Sequence, residues 1–225
     1  MELIYDGVPQ NFTLVARDDI ALGFGGTAKN ETATHWELSP AGRFEIVVTG
    51  PDINVKNAGL WTRNRSGNQF VSSPRRPLLT LIPDVNAITP DPVPSTVVNS
   101  VTSMRVPNNL LDLTPAATRT IEFAENLFIT PNFLAVGPSD QLIPFAQQVS
   151  PAIVATQGTV EDWTINNPTD TTHHFHIHQM HFLLLAINGT TVLPEQQQYY
   201  DTIAVEHGSS VTLRIDFTGD LSPLN

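Results

Sequence analysis

Between Gly158 and Phe182 the chain reads GTVEDWTINNPTDTTHHFHIHQMHF, and five of its seven histidines, His173, His174, His176, His178 and His181, fall within nine positions of that stretch. Trp163, Ile165, Phe175, Ile177, Phe182 and the run Leu183-Leu184-Leu185 surround the turn-forming Asn166-Asn167-Pro168-Thr169-Asp170, a pattern of strand, turn and strand. The histidines are therefore expected on extended backbone. Successive side chains of a strand point to opposite faces, so His174, His176 and His178 share one face, and His173, Phe175, Ile177 and His181 the other.

Neutral imidazole is the commonest transition-metal ligand and suits copper, zinc and iron. A His-x-His pair on a strand sets two imidazoles side by side, with roots about 7 Å apart on the usual strand rise. That spacing serves two adjacent metals, or one metal shared with ligands from elsewhere. It does not complete a site alone, because three or four ligands must converge. A single histidine is ordinarily a core or surface imidazole, which is the reading for His35 and His207.

His173-His174-Phe175-His176-Ile177-His178, preceded by Gly158-Thr159-Val160-Glu161-Asp162-Trp163 and followed by Phe182, resembles the third-domain segment of the multicopper oxidases, the laccase-like enzymes. That segment usually reads His-Pro-x-His-[Leu/Ile]-His after a Gly-x-x-Glu-x-Trp approach. The Asn188-Gly189 turn, Tyr200-Asp201-Thr202 and Ser210 to Phe217 continue the similarity over about the last hundred residues. The resemblance implies that His173 matches the histidine on the blue copper, and that His176 and His178 match one ligand each to the type 2 and type 3 coppers. Where the family usually has Pro, this chain has His174, an additional candidate metal ligand. His181 occupies a variable position and is not expected to bind. In the complete family, a three-copper cluster takes four His-x-His pairs from the first and third domains, and this chain supplies one.

The chain contains no cysteine. Disulfides are excluded, and so is the thiolate that a blue copper site needs beside its two histidines. In the family that Cys follows the strand resembling Ser210 to Phe217, whereas here the sequence runs from Thr218 to Asn225. The expectation is a third domain lacking its terminal strand. Such a sandwich exposes unpaired backbone on a neighbouring strand, which predicts a homo-oligomer or a partner chain covering the sheet edge.

A formal net charge of −11, from 11 basic and 22 acidic residues, argues against nucleic acid or an anionic membrane as partner. The apolar runs are too short to span a bilayer, and Met1 to Asp6 does not read as a signal peptide. The family resemblance nevertheless implies an extracellular or periplasmic setting.

Leu3 to Pro9 and Trp36 to Val48 resemble the second half of the family's middle domain, with an Asp-Gly turn and alternation through Phe44, Ile46 and Val48. Further strands are expected at Leu60 to Arg63 and at Pro77 to Ile82. Prolines 83, 90, 92, 94, 107 and 115 then forbid regular structure over much of their span. From Arg119 onward, short strands and turns recur as in a β-sandwich, with no sustained helical periodicity. The expected organisation is all-β: two cupredoxin-like Greek-key β-sandwich domains, neither complete. They are a partial middle domain over 1–82, a Pro-rich linker over 83–115 and a third domain over 116–225.

Asp170, Glu161, Asp162 and Asp201 lie near the histidine strand in sequence and are the candidates to orient an imidazole from behind, Asp170 and Glu161 first among them, against the plainer alternative of solvated turn and edge residues. No phosphate loop, Gly-x-Ser-x-Gly elbow or His-Glu-x-x-His helix occurs, so nucleotide and hydrolase chemistry have no support. The expected function is that of a copper-binding, partial laccase-like oxidase, inactive alone. The complete family couples one-electron oxidation of phenols or metal ions to reduction of dioxygen to water. The alternatives are a non-catalytic copper- or zinc-binding β-protein and a truncated product that holds no metal.

Overall fold

The computed structural model describes residues 1–23, 30–63, 65–66, 72–84, 86, 110–126, 133–138, 153–193 and 197–217. Most of the Pro-rich stretch, 87–109, lies outside them. The chain divides into two compact units, one running from Met1 to Met104 and the other centred on Arg105–Asn225.

The first unit holds β1 (Glu2–Tyr5), β2 (Val8–Gln10), β3 (Phe12–Arg17), β4 (Ile20–Ala21), β5 (Glu31–Ala33), β6 (Phe44–Val47), β7 (Ala58–Trp61), β8 (Arg65–Ser66), β9 (Ser72–Ser73) and β10 (Pro77–Leu81). One sheet runs β10-β7-β1-β2; a second groups β4, β5 and β6 around β3. Asp6 and Gly7 both adopt positive φ, the backbone a two-residue hairpin requires, and so set Tyr5 opposite Val8. Phe12, Leu14 and Ala16 alternate inward along β3, and Phe12 joins Leu3 and Leu60 in a core flanked by Trp36, Ile46 and Val48. At Gly59, a Cβ would stand 2.6 Å from the Leu79 carbonyl oxygen, so β7 and β10 approach closely only because that residue has no side chain.

The second unit carries the histidines. Its strands are β11 (Ala117–Asn126), β12 (Phe133–Pro138), β13 (Val160–Asn167), β14 (His173–His176), β15 (Phe182–Ile187), β16 (Thr190–Thr191), β17 (Tyr199–Tyr200), β18 (Thr202–Val205) and β19 (Ser209–Asp216). A seven-stranded sheet runs β12-β11-β13-β19-β15-β16, with β17 also on β15, while β14 and β18 form a separate antiparallel pair. Alternation along β13 and β19 buries Trp163, Ile165, Val211, Leu213 and Ile215. The paired strands close over this face with Phe175, Ile203 and Val205. Ile165, Leu213, Ile215 and Phe182 are fully buried, and each such side chain contributes about 1.5–3 kcal/mol through burial.

Leu110–Asp112 forms a single 3-10 turn with the Leu110 side chain fully buried. The Tyr199 hydroxyl accepts from the Leu110 N–H at 3.3 Å. Arg214 grips Asp162 with two nitrogens, at 2.7 and 2.9 Å, and donates from its third to the carbonyls of Leu110, Leu111 and Leu113.

The structure corrects one expectation about the histidine stretch. Extended backbone covers His173 to His176 and then stops. His178 and Gln179 lie in a bend, with Gln179 at φ +68°, and the chain resumes at Phe182 in the other sheet. A strand that changes sheets must turn a corner, and here the corner is built without Gly or Pro. His178 therefore reaches its position from a bend and not from strand parity.

Candidate metal centre

The entry to β14 is fixed by Asn167, which is 1% exposed at the end of β13. Its amide nitrogen donates to the carbonyls of Thr171 and Val205, both at 2.8 Å, and its oxygen accepts from the Thr169 hydroxyl at 2.7 Å. One side chain thus closes the turn and ties it to β18. The register of β14 against β18 follows: His173 faces Val205, His174 faces Ala204, Phe175 faces Ile203 and His176 faces Thr202.

Phe175 points into the core, with its ring 6.3 Å from Trp163 and 5.8 Å from Phe182. His176 lies on the opposite face. Its Nδ1 is 2.9 Å from the Asp201 carbonyl oxygen, 2.7 Å from Thr202 Oγ1 and 3.6 Å from Asp201 Oδ1. Thr202 in turn donates its hydroxyl proton to Asp201 Oδ1 at 2.8 Å. The Asp201 carbonyl also accepts the Ile177 N–H at 3.1 Å. The His178 ring stands edge-on to His176, with centroids 4.8 Å apart; His178 is exposed and His176 half-buried.

His173 shares the inward face with Phe175 and stacks on Phe123 at 4.8 Å. Its Nε2 is 3.3 Å from Glu125 Oε2 and 3.2 Å from Thr171 Oγ1, and the Thr171 hydroxyl donates to the same carboxylate at 2.8 Å. His173 and His176 are therefore held by separate sets of groups on opposite faces.

His174 lies on the His176 face of β14. Asp170 is exposed in the turn before the strand. Glu161 is buried on β13, where it receives Arg119 Nε and Nη2 at 2.6 and 2.9 Å and Trp163 Nε1 at 2.8 Å. The Arg119 guanidinium holds its carboxyl below the usual carboxylate range. Those donors are its hydrogen-bond partners among the described residues. Sequence reasoning missed Glu125 and the Thr171 hydroxyl, and noted Asp201 and Thr202 without assigning them to His176. Asp201 stood among the carboxylates that could orient an imidazole, and Thr202 only within the Tyr200-Asp201-Thr202 family match.

Among the described residues, no three His, Asp or Glu side chains converge as a metal-binding group. The donor set present is a pair, which could serve only a metal that completes its coordination elsewhere: the ring of His176 is anchored through Nδ1, so Nε2 is the nitrogen that could coordinate.

No helix among the described residues is long and apolar enough to cross a membrane. No curated protein sequence matches the chain. Solved structures of similar fold include a multicopper oxidase from the hyperthermophile Aquifex aeolicus (15% identity, TM-score 0.61), covering 96% of this chain and 45% of that one. A metallo-oxidase of the same class from Campylobacter jejuni is 19% identical with TM-score 0.62, covering 96% of this chain and 44% of that one. A laccase-like multicopper oxidase from Ochrobactrum sp. is 17% identical with TM-score 0.54, covering 96% and 46%. The chain thus spans a little under half the length of these proteins and shares their all-β, cupredoxin-like sandwich architecture. The family model for multicopper oxidases matches residues 107–221, the unit that holds the histidine strand and the strands that buttress it. The chain belongs to the multicopper oxidase family, of which it represents a part.

Proposed function

We propose that this chain contributes the third-domain copper ligands of a laccase-like oxidase and is inactive in oxidation without further ligands. The observation that carries this is the His176–His178 pair, rings 4.8 Å apart, with one ring anchored from behind. His176 and His178 would hold copper, and His173 would serve a separate copper on the other face. His174 is an additional candidate donor beside His176. Bound copper supplies the one-electron redox chemistry by which phenols or metal ions would be oxidised and dioxygen reduced. The chain's own residues do the positioning. Asp201 and Thr202 hold His176; Glu125, Thr171 and the Phe123 ring hold His173. Phe175, Trp163 and Phe182 keep the inner face dry.

A pair of imidazoles needs further donors. Among the described residues β14 and β18 form a two-stranded pair. A second copy or a partner chain adding a strand there would supply both hydrogen bonds and ligands. The expected setting, as for the family, is periplasmic or extracellular.

The test is metal content per chain, by mass spectrometry, after dialysis against Cu(II) and removal of loosely held ions. Near-stoichiometric copper in the native protein, lost in the His176→Ala/His178→Ala double variant, supports the reading. Negligible copper in the native protein, or equal copper in the double variant, rejects it.

A further inference from the structure

We infer that Thr202 is a positioning residue: together with Asp201 it holds His176 in the Nδ1–H form, so that Nε2 presents its lone pair outward. The inference rests on the assignment of His176 as a copper ligand only for its consequence; the proton's place is a property of the metal-free chain.

The argument is one of donors and acceptors. Thr202 has a single hydroxyl proton, and it goes to Asp201 Oδ1 at 2.8 Å. The hydroxyl oxygen then meets His176 Nδ1, 2.7 Å away, as an acceptor. The Asp201 backbone oxygen, 2.9 Å away, can only accept, and so can the Asp201 carboxylate at 3.6 Å. An Nδ1 without a proton would face three oxygen lone pairs. With a proton it donates to two of them, and neutral imidazole has only one proton to place. Nε2 is left bare, as a metal ligand must be.

The arrangement is also rigid. Thr202 and Asp201 are 4% and 7% exposed, and Thr202 lies directly opposite His176 across the β14–β18 pair. The carbonyl of Asp201 is fixed by the Ile177 N–H. Thr202 is the adjustable member of the set, because its hydroxyl is the group that couples the Asp201 carboxylate to the ring. Without that hydroxyl the carboxylate loses a buried donor, and the ring keeps a single close acceptor.

The experiment is long-range ¹H–¹⁵N correlation on the metal-free, ¹⁵N-His-labelled protein, followed by Cu(II) titration. The wild type is expected to show His176 as the Nδ1–H tautomer. Thr202→Val should show a mixture of tautomers and bind Cu(II) about tenfold more weakly, the scale of an outer-shell deletion. Thr202→Ser should restore both. A wild-type His176 carrying its proton on Nε2 overturns the inference, whether or not the Val variant folds, and so does an unchanged tautomer in Thr202→Val. A locked tautomer in a wild type that takes up no Cu(II) would leave this inference standing and defeat the copper assignment instead. Copper uptake by a wild type with mixed tautomers would do the reverse.

Discussion

The two faces of β14 do different work with the same backbone. Inward, Phe175 lies between Trp163 and Phe182, and His173 stacks on Phe123 with its Nε2 turned to Glu125 and Thr171. Outward, His176 is held through its other nitrogen by Asp201 and Thr202, beside His178. The two rings are held through opposite nitrogens, His173 at Nε2 and His176 at Nδ1. Three positions apart on one strand, and so on opposite faces, they are prepared for different partners.

That contrast can be broken most forcefully from the inside. Phe175→Ala removes a ring wedged between two others and should cost about 3 kcal/mol. Urea unfolding would measure the loss, and the Cu(II) content of the folded fraction should stay unchanged. Coupled losses of stability and copper would mean that the faces are not separable.

Glu161 sharpens the comparison from a third position. Its carboxylate answers to Arg119 and Trp163, so Glu161→Gln should cost about 2 kcal/mol at neutral pH, on the scale of hydrogen bonds to a charged group, with copper binding unaltered. Because its folded pKa is depressed, first by the Arg119 hydrogen bond, its stabilisation is complete above the ordinary carboxylate range near pH 4.5. It is lost as pH falls through the lower folded value. The Gln variant should therefore lose less stability than the wild type between about pH 4.5 and the folded pKa. An identical acid limb in both proteins would refute this.

Glu125→Gln is a smaller perturbation. It should cost about 1 kcal/mol through the Thr171 and His173 contacts, and it should broaden the tautomer distribution of His173 while leaving that of His176 alone. A change at His176 of equal size would show that the two supports are coupled. Smallest of all, His174→Ala should change stability by less than about 0.5 kcal/mol. A drop in copper stoichiometry in that variant would add His174 to the ligands; unchanged copper would remove it.

Much of this was legible in the sequence, for local reasons. Asp6-Gly7 and Asn188-Gly189 are hairpin dipeptides, and both adopt the positive φ such turns require. The apolar alternation of Val160 to Asn167 and the density of histidines after it are equally local. What escaped notice was set by pairing across distance. Glu125 meets Thr171 across 46 positions, and Thr202 meets His176 across 26. Nothing in a strand's own residues names the strand it will pair with, and β11 reaches β13 as a parallel neighbour after a long excursion. The end of β14 was hidden for another reason. Gln179 takes a left-handed conformation that its residue type does not advertise, so a continuous apolar and histidine pattern concealed a change of sheet.

Arg214 reads the turn at 110–113 through the main-chain carbonyls of Leu110, Leu111 and Leu113. A clasp of that kind is indifferent to spelling. For the clasp itself the side chains of the exposed Leu111, Asp112 and Leu113 matter less than a backbone that still bends, while Leu110, sealed inside, and Arg214 are fixed. The segment entering the histidine-bearing unit can thus drift in composition while its point of attachment stays put.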